Sequence, residues 1–287
     1  MFPPADTKSA SATATLVREK FFAMFPGAQP KLLTPIFRDV EQLFNGGHPD
    51  YSAIDIRYHD LEHTLQATVC LALLFEGYQA ANGPGALTAR HFELGMAGVL
   101  LHDAGYLKLR SDRSGTGAKY TFCHVLRSCA FAASYLPTLG VDETEIAGVL
   151  GAISCTGPSK EISRLYFRDP VERFVGCALA SADYLGQMAA ADYPDELEIL
   201  YGEFLESDDF VHVPEEKRLF KSARDLAERT PKFWTHVVRP KLDRDFGGVC
   251  HFLARPYPHG PNPYVEAVEK NIALIGRRVA ETAPAVS

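Results

Sequence analysis

The chain lacks the marks of several function classes. It carries 29 Lys and Arg against 36 Asp and Glu, for a formal net charge of -7 and a pI near 5.8. No basic stripe is present, so no nucleic-acid partner is expected. The longest apolar stretch, near Met96–Leu101, is far too short for a bilayer, and no membrane association is expected. Residues 1–11 lack a basic region followed by an apolar run, so a secretory signal is not expected either. The six cysteines form no CxxC pair and sit mostly in apolar text, which reads as buried free thiols in a reducing, cytoplasmic setting. Alternating β-branched runs and Asn-Gly turns are missing, which argues against strands.

What is present is helical periodicity. The pattern predicts helices near 12–25, 32–45, 60–80, 88–103, 121–136, 142–155, 170–190, 194–207, 215–244 (broken at Thr230-Pro231) and 263–281. Asp142 with Glu145 reads as a capping box, and Asp169-Pro170 as an N-cap followed by a first-turn proline. Thr230-Pro231 and Asn262-Pro263 repeat that device, and Pro194 and Pro214 read as first-turn prolines. Residues 1–10 are expected to be frayed, and 11–287 to form one all-α domain with a core at about 55–210. The Gly- and Pro-rich segment 247–262 is expected to carry the last helix back onto the body.

Two short segments hold most of the chemistry. One is Arg57-Tyr58-His59-Asp60-Leu61-Glu62-His63; the other, starting at Leu100, holds the adjacent pair His102-Asp103. His59 and His63 lie four apart. If the helix includes His59, both rings share a face; if Asp60 is the N-cap, His59 precedes the helix and suits a proton donor better than a ligand. Adjacent helical residues diverge by about 100°, so His102 and Asp103 can meet at one point only where their helix ends, before Gly105. Asp183 stands in a helix of small and apolar residues, where a lone carboxylate costs several kcal/mol unless paired. Gly176, Ala178, Ala180 and Ala182 would let neighbouring helices approach there. His63, His102, Asp103 and Asp183 together form a donor set suited to a divalent cation.

On these residues the chain resembles the HD superfamily of metal-dependent phosphohydrolases, over roughly 55–190. That family is an all-helical bundle with a His, a His-Asp pair and a distant Asp, matched here by His63, His102-Asp103 and Asp183. The segment Tyr58–His63 is also similar to the opening motif of class I cyclic-nucleotide phosphodiesterases, with Asp60 in place of their Asn. The resemblance implies His63, His102, Asp103 and Asp183 as metal ligands and His59 as the general acid. It implies a multi-helix bundle with additional N- and C-terminal helices packed on it. Dinuclear members add two histidines on the next helices. His124 matches the first, as a contact to a second metal or to substrate; Ile153-Ser154-Cys155-Thr156 supplies no second, which favours one tightly held ion. The metal would be Mn, Mg, Fe, Co, Ni or Zn.

The expected reaction is attack of metal-activated water on a phosphate ester of a small anionic molecule, most plausibly a nucleotide or cyclic nucleotide, with Asp103 and His59 as catalytic groups. Residues 106–120 carry Lys108, Arg110, Arg113 and Lys119 against Asp112, with Gly115 and Gly117. They read as a mobile basic loop in which Lys108, Arg110 and Lys119 bind substrate phosphate. Arg57 and Arg127 are weaker phosphate candidates. Two other classes stand beside this reading. One is an HD-type di-iron oxygenase, which needs six ligands; the other is a non-catalytic sensor whose metal holds the bundle together. Oligomeric state is left open.

Overall fold

The computed structural model describes residues 4–281. Ten α-helices form an all-α bundle, and no strand occurs among the described residues beyond an isolated bridge between Tyr51 and Leu109. They are α1 (Ala10–Met24), α2 (Leu33–Phe44), α3 (Leu61–Asn82), α4 (Ala89–Leu101), α5 (His124–Tyr135), α6 (Glu143–Ser154), α7 (Pro170–Met188), α8 (Tyr193–Phe210), α9 (Ala223–Phe233) and α10 (Pro263–Glu281). No helix among the described residues is long and apolar enough to cross a membrane.

The central pair is α3 and α7, each buried on most sides, with α4 and α6 beside them. Their backbones touch because Gly186 has no side chain: a Cβ there would stand 2.8 Å from the Ala67 nitrogen. Gly176 similarly admits Cys155, whose sulfur would lie 2.8 Å from a Cβ at that position. The α1–α2 pair packs on α3 and α4 from the N-terminal side. At the other end, α10 packs on α7, α8 and α9, and Asn271 Nδ2 donates to the carbonyls of Met188 (2.9 Å) and Ala190 (2.6 Å).

The Asp142 box and the Asp169 cap form as expected, and Asn262 Oδ1 accepts from the Tyr264 and Val265 nitrogens at the head of α10. Four expectations fail. Thr230 does not cap a helix: its hydroxyl donates back to the Leu226 carbonyl at 2.8 Å, and Pro231 lies inside α9. The helix widens after that proline into π-helical turns at Trp234–Val238 and Lys241–Asp245 rather than breaking. Pro214 heads only a short 3-10 turn, Glu215–Lys217, and α9 is capped by Ser222, whose hydroxyl accepts from the Asp225 nitrogen. Of the cysteines, Cys123 is exposed and Cys129 partly so, the first as the N-cap of α5 and the second on that helix. At the N-terminus, residues 1–3 lie outside the described residues; Thr7 is already buried and Ser9 caps α1.

Candidate metal centre

The two histidine segments meet because each ends or begins a helix. Asp60 is the N-cap of α3, with its carboxylate accepting from the His63 nitrogen at 3.1 Å. His59 therefore precedes the helix, and His63 stands in its first turn. At the other segment, His102 is the C-cap of α4 and keeps helical backbone angles, whereas Asp103 has left them at φ -108 and ψ 7. That one-residue departure aims both side chains at the same point. Gly105 contributes contact rather than turn: a Cβ there would meet the His124 carbonyl oxygen, so the glycine lets α5 press against the segment. Ser128 then accepts from the Gly105 nitrogen at 2.9 Å, and Arg127 donates to the carbonyls of Gly105 and Leu107, both at 2.7 Å.

Asp183 reaches the same point from α7. The Nε2 of His63 lies 3.2 Å from Asp103 Oδ2 and 3.2 Å from Asp183 Oδ1; the Nε2 of His102 lies 3.4 Å from each of the same two atoms. Donors about 2.1 Å from a common ion are separated by about 3.0–3.4 Å at cis-octahedral or tetrahedral angles. His63 Nε2, His102 Nε2 and Asp103 Oδ2 are buried and have no hydrogen-bond partner. Orphaned buried groups of this kind each cost on the order of 1–3 kcal/mol, and a shared cation relieves all three. The tautomer also fits. His102 donates from Nδ1 to the Val99 carbonyl at 2.7 Å, which leaves the Nε2 lone pair facing inward. The residues present suit a divalent cation, and His63, His102, Asp103 and Asp183 could hold it.

The electrostatics agree. Burial works against a charged ring at His63, but the neighbouring carboxylates of Asp103 and Asp183 outweigh it and push the group up to about 10. His102 is raised for the same reason, against the same burial. Burial would raise Asp103 and Asp183, yet the two imidazoles hold both well below the ordinary carboxylate range. A buried acid, Asp103, and a largely buried one, Asp183, thus demand compensating positive charge.

His59 stands beside this group, its ring centroid 5.5 Å from that of His63. Its Nδ1 donates to Glu203 Oε2 at 2.6 Å. The other oxygen of Glu203 accepts from the backbone nitrogens of Tyr58 (2.8 Å) and Arg57 (3.1 Å). Glu203 is nearly buried on α8, and burial favours its protonated form; the His59 contact and the two N–H donors hold it below its ordinary range instead. Tyr106 fills the space beyond, stacked on His59 at 4.7 Å and on His124 at 4.6 Å. His124 donates from Nδ1 to the Thr121 carbonyl at 2.7 Å and turns Nε2 toward Asp103 Oδ1 at 3.8 Å. Burial keeps its ring on the neutral side, with Asp103 pulling the other way. Behind Asp183, Gln187 donates to its main-chain carbonyl at 3.1 Å and accepts from the Tyr58 hydroxyl at 2.6 Å.

The expected phosphate contacts are placed differently. Lys108 is buried and bound to Asp55 Oδ2 at 3.0 Å and to the Gly115 carbonyl. Lys119 is buried, paired with Asp112 at 2.6 Å and bound to the Ser114 carbonyl at 2.6 Å. Arg110 holds the carbonyls of Gly46 (2.6 Å), His48 (2.9 Å) and Pro49 (3.0 Å). Lys108 and Arg110 tie residues 106–120 to their surroundings and Lys119 ties the loop to itself, because a loop rich in unpaired carbonyls needs donors of its own. The segment is accordingly pinned rather than mobile: Glu206 accepts from the Thr116 backbone and hydroxyl, and Asp55 from the Gly117 nitrogen at 2.7 Å.

Glu203 and Tyr106 were not singled out from the sequence. Tyr106 follows the His-Asp pair closely enough to have been suspected. Nothing local distinguishes Glu203 from Glu196 or Glu206 on the same acidic helix. No family model matches this chain, and no curated protein does either.

Proposed function

We propose that the protein is a metal-dependent phosphohydrolase of the HD type, acting on a phosphate ester of a small anionic molecule, with a nucleotide or cyclic nucleotide as the first substrate class to test. The observation that carries the reading is the convergence of His63, His102, Asp103 and Asp183, in which each imidazole Nε2 lies 3.2–3.4 Å from an oxygen of both carboxylates and the atoms are largely unpartnered. A divalent ion bound by these four residues supplies Lewis-acid charge to a phosphoryl group and acidifies water.

The remaining chemistry belongs to the chain. Glu203 accepts the Nδ1 proton of His59, so the proton available for transfer is the one on Nε2. That proton goes to the leaving oxygen of the ester. The stack of His59, Tyr106 and His124 keeps the imidazole from rotating and closes one wall against water. Because Lys108, Arg110 and Lys119 are engaged elsewhere, phosphate charge falls to the ion and His59, with the exposed Arg57 nearest in sequence.

The test is turnover of a panel of cyclic nucleotides, nucleotides and simple phosphodiesters by purified protein with added Mn²⁺, beside Asp103→Ala. Hydrolysis by the parent and not by the variant is the expected result. Silence of the parent across the panel with the ion bound would overturn it.

A further inference from the structure

A second group of ligand-type side chains lies far from this centre. The π-helical turn Lys241–Asp245 is followed by Gly247 and Gly248, both at positive φ (68° and 71°), which reverse the chain into the 3-10 turn Val249–Leu253. The reversal brings Cys250 and His251 back over Asp243. One donor atom from each of Asp243, Cys250 and His251 lies within 4.8 Å of the other two, and His251 Nε2 is 3.8 Å from Asp243 Oδ1. Gly248 is part of the device: its φ of 71° favours glycine, and a Cβ there would stand 3.1 Å from the His251 ring and crowd the imidazole over the turn.

We propose that Asp243, Cys250 and His251 form a sulfur-containing cation site, suited to Zn²⁺ or Co²⁺, that clasps the π-helical turn to the 3-10 turn after it. A thiolate, an imidazole and a carboxylate are a donor set for a borderline divalent ion and a poor one for Mg²⁺ or Ca²⁺. Tetrahedral donors at zinc distances are separated by about 3.4–3.6 Å, so a small rotation of His251 completes the triad. That rotation is open to it, since 66% of its side chain is exposed, whereas Cys250 is buried. Arg239 steadies the carboxylate: its Nε donates to Asp243 Oδ2 at 3.2 Å and leaves Oδ1 turned toward His251. The Cys250 carbonyl is held in turn by Asn262 Nδ2 at 2.9 Å. On binding, the Cys250 sulfur gives its proton to solvent and forms the metal–sulfur bond. Solvent supplies the fourth position.

The site stands apart from the His/Asp centre. Phe252 of the same turn packs on Gly77, fourteen residues along α3 from His63, or about 21 Å of helix. It holds whether or not the chain is a phosphohydrolase.

The decisive experiment is a Co²⁺ titration of the metal-stripped full-length protein, read by near-ultraviolet sulfur-to-cobalt charge transfer. The His/Asp centre contains no sulfur, so that band reports only a thiolate site. The expected result is a band that saturates at one ion, persists in Asp183→Ala and is lost in Cys250→Ser. His251→Ala changes an exposed residue and is expected to fold; it should weaken Co²⁺ at this site about tenfold or more. No band in the parent, a band that survives Cys250→Ser, or full affinity in His251→Ala would each overturn the proposal.

Discussion

His59 Nδ1 donates to Glu203 Oε2 at 2.6 Å across 144 positions of sequence. The contact joins the residue before α3 to the middle of α8, and it gives His59 a fixed orientation and tautomer. Glu203→Gln should therefore lower turnover about 10–100-fold with bound metal unchanged. His59→Ala should lower it about 10²–10⁴-fold, least for esters with good leaving groups. The double variant should be little worse than His59→Ala, since Glu203 acts through that ring. Steady-state kinetics beside metal analysis check this; an unimpaired Glu203→Gln would remove Glu203 from the mechanism.

Asp103 is the proposed ligand with the most to lose, within 3.2–3.4 Å of both His63 and His102. Asp103→Ala should lose bound metal and turnover together. Metal content by mass spectrometry after dialysis is the measurement, and a variant that kept both would contradict the ligand set.

The metal-free protein should respond to pH in a set direction. His63 moves from 6.5 up to about 10 on folding, against its burial and because of Asp103 and Asp183. A raised histidine contributes stability in full below its unfolded value, and that contribution is lost as pH rises through about 10. Metal-free protein should thus unfold at lower denaturant as pH climbs from about 6.5 to 10, with a flatter profile in His63→Gln. The depressed Asp103 and Asp183 act oppositely: their contribution is present above the unfolded carboxylate value and is lost as pH falls. Urea titrations at stepped pH test both limbs. Added metal should release protons near neutrality, because ligation needs neutral imidazole.

Gly186 sets the spacing of α3 and α7 one turn from Asp183. Gly186→Ala places a methyl 2.8 Å from the Ala67 nitrogen. The expected cost is about 1–3 kcal/mol by chemical denaturation, with weaker metal binding as the helices part. An Ala variant as stable as the parent would show that the helices slide apart freely.

Lys108 serves its loop rather than a phosphate. Lys108→Met should lower the melting temperature by freeing the Gly115 carbonyl and Asp55, while KM for an anionic substrate stays within about twofold. A large rise in KM with unchanged melting would restore Lys108 to the substrate site.

The helices and most of their starts were legible because caps and periodicity act over four residues. Asp60, Asp142 and Asp169 each bind nitrogens two or three positions on, so a short window carries the whole interaction. The same locality misled at Thr230-Pro231, where the signature of a helix start sits inside a helix that widens instead of ending. It misled again at Lys108, Arg110 and Lys119. Three cations with no nearby acid except Asp112 look free in sequence; Lys119 does pair with Asp112, while the partners of Lys108 and Arg110, Asp55 and residues 46–49, arrive from the segment after α2.

By itself, the sequence determined the chemical inventory: an all-helical chain whose buried faces carry four metal-type donors, with a histidine placed just ahead of a helix cap. Residue type and short-range hydrogen bonding suffice for that. Tertiary structure alone decided which groups face one another. It brought Glu203 to His59, slid Tyr106 between His59 and His124, and folded His251 over Asp243. Such pairings depend on how whole helices pack, through close approaches like those at Gly105 and Gly186, and no short window of residues encodes that distance.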